Sequence, residues 1–157
     1  MTSVRLRSMK FSSNPELFTK TVINALSDLN RLSVTNPLRI ELESWFITAD
    51  QILPAHGKLT KKLGNKGITV YANVPLLGGV NDSDVAIHQL AKAIRTAGIE
   101  FHHLYVAGLP IQVRWNQTRP VDSYNVVDIA TMVRREGSGR EIPRYIFFTP
   151  LGETDYG

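Results

Sequence analysis

The feature that most constrains this chain is a run of apolar, β-prone segments, each separated from the next by enough residues for a helix. Ile68 to Val74 is nearly all apolar or β-prone, as expected of a strand covered on both faces of a parallel sheet. After a tight turn, the stretch Asp84 to Ala97 carries Ala86, Leu90 and Ile94 on one helical stripe. Asp82 or Ser83 can cap it and Gly98 can stop it. Phe101 to Val106 supplies the next strand. Asp122 to Arg135 carries Val126, Ile129, Ala130 and Val133 at helical spacing, and Tyr145 to Phe148 reads as a last strand.

The amino-terminal part follows the same rhythm. Val4 to Lys10 alternates as a short strand, and Asn14-Pro15-Glu16 offers a cap with proline at the first helical position. Phe18, Val22, Leu26 and Leu29 predict the buried stripe of the helix that follows, which stops near Arg31 to Asn36. Leu38 to Leu42 reads as a second strand. Thr48-Ala49-Asp50 opens a helical segment that Pro54 and Gly57 interrupt before it continues to Gly64 or Gly67.

The resulting order, β-α-β-α-β-α-β-α-β, predicts an α/β fold with the strands at Val4, Leu38, Ile68, Phe101 and Tyr145 as parallel neighbours in one curved sheet. A complete eightfold barrel needs about 250 residues. With 157 residues the expectation is a single domain over residues 1–157, either a partial parallel (βα) barrel or a small open sheet of about five strands. Functional groups then belong on the loops at the carboxyl ends of the strands: Ser8 to Ser13, Glu43 to Ile47, Pro75 to Asp82, Ala107 to Pro120, and Thr149 onward.

Composition removes several functions. A hydrophobic fraction of 43% supports a core. The net charge of +4 is spread too thinly for a nucleic-acid surface, which needs a compact basic stripe with interleaved aromatics. Zero cysteine excludes disulfides, a cysteine nucleophile and thiolate-held metal on these residues. MTSVRLRSMK leads into no apolar run, so neither a secretory signal nor a membrane span is expected, and a cytoplasmic location is the simplest reading. No Walker A loop, GxGxxG pattern or serine–histidine–acid motif occurs.

Individual candidates carry two readings each. The turn Gly78-Gly79-Val80-Asn81-Asp82 serves either as a simple reversal into a helix or as a place where backbone and Asn81 approach a ligand. His102 and His103 are adjacent on a strand, so alternation sends them to opposite faces and predicts no shared metal; His56 and His88 sit in helical segments without an acidic partner at ligand spacing. The expected number of metal sites is none. Glu41 and Glu43 share a strand face, either as an exposed salt-bridged pair or with one carboxylate at the barrel mouth. Arg114, Trp115, Asn116, Gln117 and Arg119 occupy a long loop that is either a self-packed lid or a substrate-shaping segment.

Beyond these local readings, the strand running into Leu76-Leu77-Gly78-Gly79-Val80-Asn81-Asp82, its helix, the next strand ending in Leu104-Tyr105, and Arg119-Pro120-Val121 resemble, in that order, the carboxy-terminal half of the lysine 2,3-aminomutase family. Val4-Arg5-Leu6-Arg7-Ser8 loosely resembles that family's I-R-x-x-[ST]-R strand. Those enzymes are radical S-adenosylmethionine proteins with a partial (βα) barrel, a 4Fe-4S cluster on a three-cysteine loop near the amino end, and pyridoxal phosphate. The resemblance implies half of a TIM-like barrel that lacks the cluster-binding amino-terminal part. In the complete parent, Arg5, Glu43, Asn73 and Asn81 would contact S-adenosylmethionine or substrate, and Tyr105, Arg114, Trp115 and Arg119 would shape the substrate pocket.

Three departures qualify what the resemblance implies. Pro150-Leu151-Gly152-Glu153 stands where the family has the glycine run and Schiff-base lysine, and no lysine follows Lys92; pyridoxal phosphate is not expected. The family aspartate that holds the substrate ammonium matches Gly108, and the second acidic position matches Phe148. Glu41-Leu42-Glu43 and Ala72-Asn73 replace the family's asparagine-rich strands. The expectation is therefore a diverged part of a radical S-adenosylmethionine protein, inactive alone, with no cofactor bound by this chain by itself. The alternative is a non-catalytic α/β module that binds a ligand or partner. An open strand edge at Val4 predicts association with an amino-terminal half or a second copy.

Overall fold

In the computed structural model, which describes residues 2–32 and 38–155, the chain forms one six-stranded sheet in the order β1-β2-β3-β4-β5-β6. The strands are β1 (Thr2–Arg7), β2 (Leu38–Trp45), β3 (Thr69–Pro75), β4 (Glu100–Ala107), β5 (Arg144–Thr149) and β6 (Gly152–Asp155). The first five are parallel in sequence order, and the sheet curls into a half-barrel, a partial (βα) barrel. β6 is a short antiparallel hairpin partner of β5, which the sequence reading does not include. β1 is one edge of the sheet, as the Val4 expectation has it.

The outer face carries the helices α2 (Lys20–Leu32), α3 (Pro54–Gly64), α4 (Asp84–Thr96) and α6 (Ser123–Glu136). Alternation aims Ile40 and Leu42, Val70, Ala72 and Val74, and Leu104 and Val106 at this layer. They meet Ile23, Leu63, Leu90, Ile94, Ile129 and Met132 in one continuous core. Each fully buried aliphatic side chain contributes about 1.5–3 kcal/mol. Two further short helices, α1 (Met9–Ser13) and α5 (Pro110–Trp115), lie after β1 and β4 at the carboxyl ends of the strands.

Several local expectations need correction. The first strand stops at Arg7 rather than Lys10, and the segment expected as a loop after it is α1. Asn14-Pro15 starts a 3-10 turn, Pro15–Leu17, and α2 begins only at Lys20. Its buried face is therefore rotated: Ile23 and Ser27 are buried, whereas Val22 and Leu29 are exposed. Pro54 does not interrupt a helix. It opens α3 at the first helical position after a separate 3-10 turn, Ala49–Gln51, where Gln51 Oε1 accepts from the Ile47 and Thr48 amides. The end of the expected stop segment, residues 33–37, lies outside the described residues. No helix among the described residues is long and apolar enough to cross a membrane.

Candidate ligand site on the concave face

The inward-facing positions of the sheet carry polar and aromatic side chains instead of aliphatic ones. Register sets Arg5 opposite Glu41 and Arg7 opposite Glu43. Arg5 Nε accordingly donates to Glu41 Oε2 at 2.9 Å, and Arg7 Nε to Glu43 Oε2 at 2.8 Å. Both carboxylates are buried while both arginines remain largely exposed. The two glutamates are thus ion-paired and turned into the half-barrel at once, which combines the two alternatives posed by their spacing. Further across the sheet, Tyr71 donates to Glu41 Oε1 at 3.4 Å and Tyr105 to Glu153 Oε1 at 2.9 Å.

The histidine expectation is overturned by a β-bulge. Pairing of β3 with β4 slips between Ala72 and Asn73, so that Phe101 faces Ala72 but His103 faces Asn73, and His102 is the extra residue. Two residues then oppose one, alternation is suspended, and both imidazoles emerge on the concave face. Their rings stack at 3.8 Å with 20° between planes. Tyr71 lies 4.7 Å from His102, and Tyr105 meets His103 edge-on at 5.7 Å.

Around these rings the chain leaves polar atoms without partners. Among the described residues, the buried side-chain atoms lacking a hydrogen bond are Glu43 Oε1, both amide atoms of Asn73, Nδ1 of His102, Nδ1 of His103 and the Tyr145 hydroxyl. All but the last belong to this one cluster; Tyr145 sits in the helix-facing core. Each such atom costs about 1–3 kcal/mol of unpaid desolvation, so their concentration in one place is a feature of the site and not of the core. His102 at 3.4 Å from Glu43, together with Arg7, outweighs burial and holds the Glu43 carboxyl down at about 2. Burial, and then the charge of His102, push His103 down to about 4. Burial and the Glu153 carboxylate raise the Tyr105 phenol above its ordinary value.

One pleat toward the strand ends, Trp45 follows Glu43, Pro75 follows Asn73 and Tyr105 follows His103 on the same face. Trp45 and Tyr105 pack at 5.0 Å. Above them opens a largely apolar cavity of about 550 Å³ lined by Met9, Trp45, Ile47, Pro75, Leu109 and Ile111 among others. Its walls come from four of the five carboxyl-end loops expected to carry function, and its size is that of a small-molecule site. The cavity's own polar lining is Ser12, Ser13, Asp50 and Gln51. The cavity suits a ligand with one apolar and one polar end.

The structure gathers only part of the sequence-derived residue set here. Arg5, Glu43, Asn73 and Tyr105 share the concave face. Asn81 does not join them: its amide accepts from Leu77 N at 2.8 Å and donates to the carbonyls of Ile47 and Pro75 at 2.9 Å each, holding the turn after β3. Trp115 donates to the Gly78 carbonyl at 2.9 Å, and the Arg119 guanidinium lies 5.5 Å over its ring. Arg114, in the same short helix, is exposed and does not line the cavity. This segment packs on the Gly78 turn, so closely that a Cβ on Gly78 would lie 1.8 Å from the Arg119 carbonyl oxygen.

One residue absent from the sequence reading is central to the mouth. Gln112 is buried in α5, where Nε2 donates to the carbonyls of Tyr105 at 2.7 Å and Leu76 at 3.1 Å, and Oε1 accepts from Leu109 N. The signal was present as Leu109-Pro110-Ile111-Gln112, proline at the first helical position and an amide side chain at the third. His56, in contrast, is fully occupied: it accepts from Leu53 N at 2.8 Å and lies 3.0 Å from the Ser12 carbonyl, joining α3 to α1.

Gly108 marks a close approach of β4 to β5. It has φ +101°, and a Cβ there would lie 1.8 Å from the Phe148 carbonyl oxygen. Backbone of β5 fills the space in which any side chain at this position would begin, so Gly108 and Phe148 touch each other.

No family model and no curated protein matches the sequence. Among solved structures, a radical SAM methyltransferase from Sphaerobacter thermophilus resembles the chain with a TM-score of 0.49 and 18% identity, over 82% of this chain and 39% of that one. The chain spans about two fifths of that protein's length. A likeness of this degree assigns no activity.

Proposed function

We propose that the chain is the substrate-facing part of a diverged radical S-adenosylmethionine barrel of the aminomutase-like group, and that its mouth cavity binds an adenosyl-bearing small molecule. The observation that carries the reading is the largely apolar cavity of about 550 Å³ at the strand ends, whose lining includes Trp45 and Pro75, each two residues along its strand from Glu43 and Asn73 with their unpartnered buried polar atoms. Trp45, Pro75 and Ile111 would pack on the apolar part of the ligand, while Ser12, Ser13 and Asp50 in the same lining face its polar part. The parentage rests on the short collinear motifs from Val4 to Val121.

The other cofactors of the group do not fit these residues. With no cysteine, a 4Fe-4S cluster serving this cavity would have to be held by residues outside this sequence. No described strand carries a lysine, so the concave face offers no amine for a pyridoxal Schiff base. The chain's own part is binding and orientation. A non-catalytic ligand-binding module is the second reading, favoured by the arginines already neutralised by Glu41 and Glu43.

The test is Trp45 fluorescence in a Trp115→Phe background during titration with S-adenosylmethionine. A saturable change that disappears in Ile111→Asp supports the adenosyl reading. No saturable change overturns it, and displacement of a bound apolar dye by other small molecules would then favour the second.

A further inference from the structure

We propose that Glu43, His102 and His103 form a binding site for a borderline divalent transition-metal ion of the Zn²⁺, Co²⁺ or Fe²⁺ kind. One ligating atom from each of the three lies within 4.8 Å of the other two. A two-imidazole, one-carboxylate set selects such ions over Mg²⁺ and Ca²⁺, which prefer all-oxygen shells. Bond lengths near 2.0–2.2 Å bring tetrahedral ligand atoms to roughly 3.4 Å of one another.

The surroundings are those of a ligand set and not of a packed core. Glu43 uses Oε2 for Arg7 and turns Oε1 toward His102 Nδ1 at 3.4 Å without a hydrogen bond, so the ion pair orients the carboxylate while leaving an oxygen to ligate. Glu43 and Asn73 are fully buried and His103 nearly so, yet Glu43 Oε1, both amide atoms of Asn73 and Nδ1 of both histidines lack hydrogen bonds. Three residues cover only part of a coordination sphere, and the open side faces the half-barrel, where water or a bound small molecule completes it. The bulge at His102 is what makes this possible, since regular alternation would separate the rings. The charges facing the site are balanced: Arg5, Arg7 and Arg39 against Glu41, Glu43 and Glu153.

The site does not depend on the adenosyl reading, and its test contains no adenosyl ligand. The full chain, stripped with a chelator, is titrated with Co²⁺ and Zn²⁺ and read by bound-metal stoichiometry, by the visible Co²⁺ spectrum and by thermal melting. The expected result is one equivalent per chain with nitrogen-ligated Co²⁺ bands, no competition from Mg²⁺, and a raised melting temperature. His102→Ala and His103→Ala should each weaken binding by at least about tenfold, of the order seen when a metal site loses a supporting group, while His88→Ala, on α4, should not. Because the wild-type stoichiometry and spectrum are read independently of any variant, a poorly folding variant does not block the test. Absence of stoichiometric binding, an all-oxygen Co²⁺ spectrum, or equal loss in His88→Ala would overturn the site.

Discussion

The two faces of the same sheet are built on opposite rules. On the outer face, Ile40, Leu42, Val70, Val74 and Leu104 interlock with the helices as aliphatic core. On the concave face, positions alternating with these hold Arg5, Arg7, Glu41, Glu43, Asn73, His103 and Tyr105, several of them as buried as any leucine. A face selected for stability alone would not keep unpartnered amide, carboxylate and imidazole atoms at about 1–3 kcal/mol each. The contrast places the apolar core on one side and the unpartnered polar atoms on the other.

The largest effect expected from breaking this contrast lies on the outer face. Leu90→Ala, fully buried on α4, should lower unfolding free energy by about 2–5 kcal/mol in urea titration, with the concave site otherwise intact. A loss under half a kilocalorie would mean that the helical layer is not the stability core. Next in size is Gly108→Ala at the joint between β4 and β5. Its Cβ would strike the Phe148 carbonyl, and the overpacking should cost about 1–3 kcal/mol. A neutral result would place the strand end elsewhere.

Acid titration probes the concave face without mutation. His103 is held down from 6.5 to about 4, so the unfolded chain binds the extra proton in that window and stability should fall as pH drops from 6.5 to about 4. Glu43 is held down from 4.5 to about 2, so a second loss should follow as pH drops from 4.5 to about 2. Melting temperature against pH reads both. His103→Leu should flatten the upper window and Glu43→Gln the lower, and unchanged profiles would show that these groups titrate normally.

The outer face was also the legible one. The five parallel strands follow from β-prone runs at β3, β4 and β5 and from apolar–polar alternation at β1 and β2, because burial of the helix-facing side writes itself into composition. The mouth loops follow from the rule that places function at strand ends. What could not be read was decided by tertiary pairing. α5 is six residues long, too short for periodicity, and is held by Gln112. β6, Gly-Glu-Thr-Asp, has no β-prone pattern and forms because the chain reverses onto β5. The face of α2 depended on a start at Lys20 instead of Pro15. The histidine pair was misread for the most instructive reason: a bulge is a property of two strands, and neither strand's sequence alone announces it. Asn81 and Trp115 were visible as unusual residues, but the sequence does not say whether an amide or indole meets a ligand or its own backbone.

The most direct test of the account is the stability of Asn73→Leu, measured by urea denaturation beside wild type. Asn73 is fully buried on the concave face with neither amide atom hydrogen-bonded. If that face is kept for ligand chemistry, an apolar side chain of similar volume removes an unmet desolvation cost and should raise stability by about 1 kcal/mol, while ligand and metal binding weaken. A destabilisation of that size or more would show that Asn73 is part of the folding core and would contradict the division between the two faces.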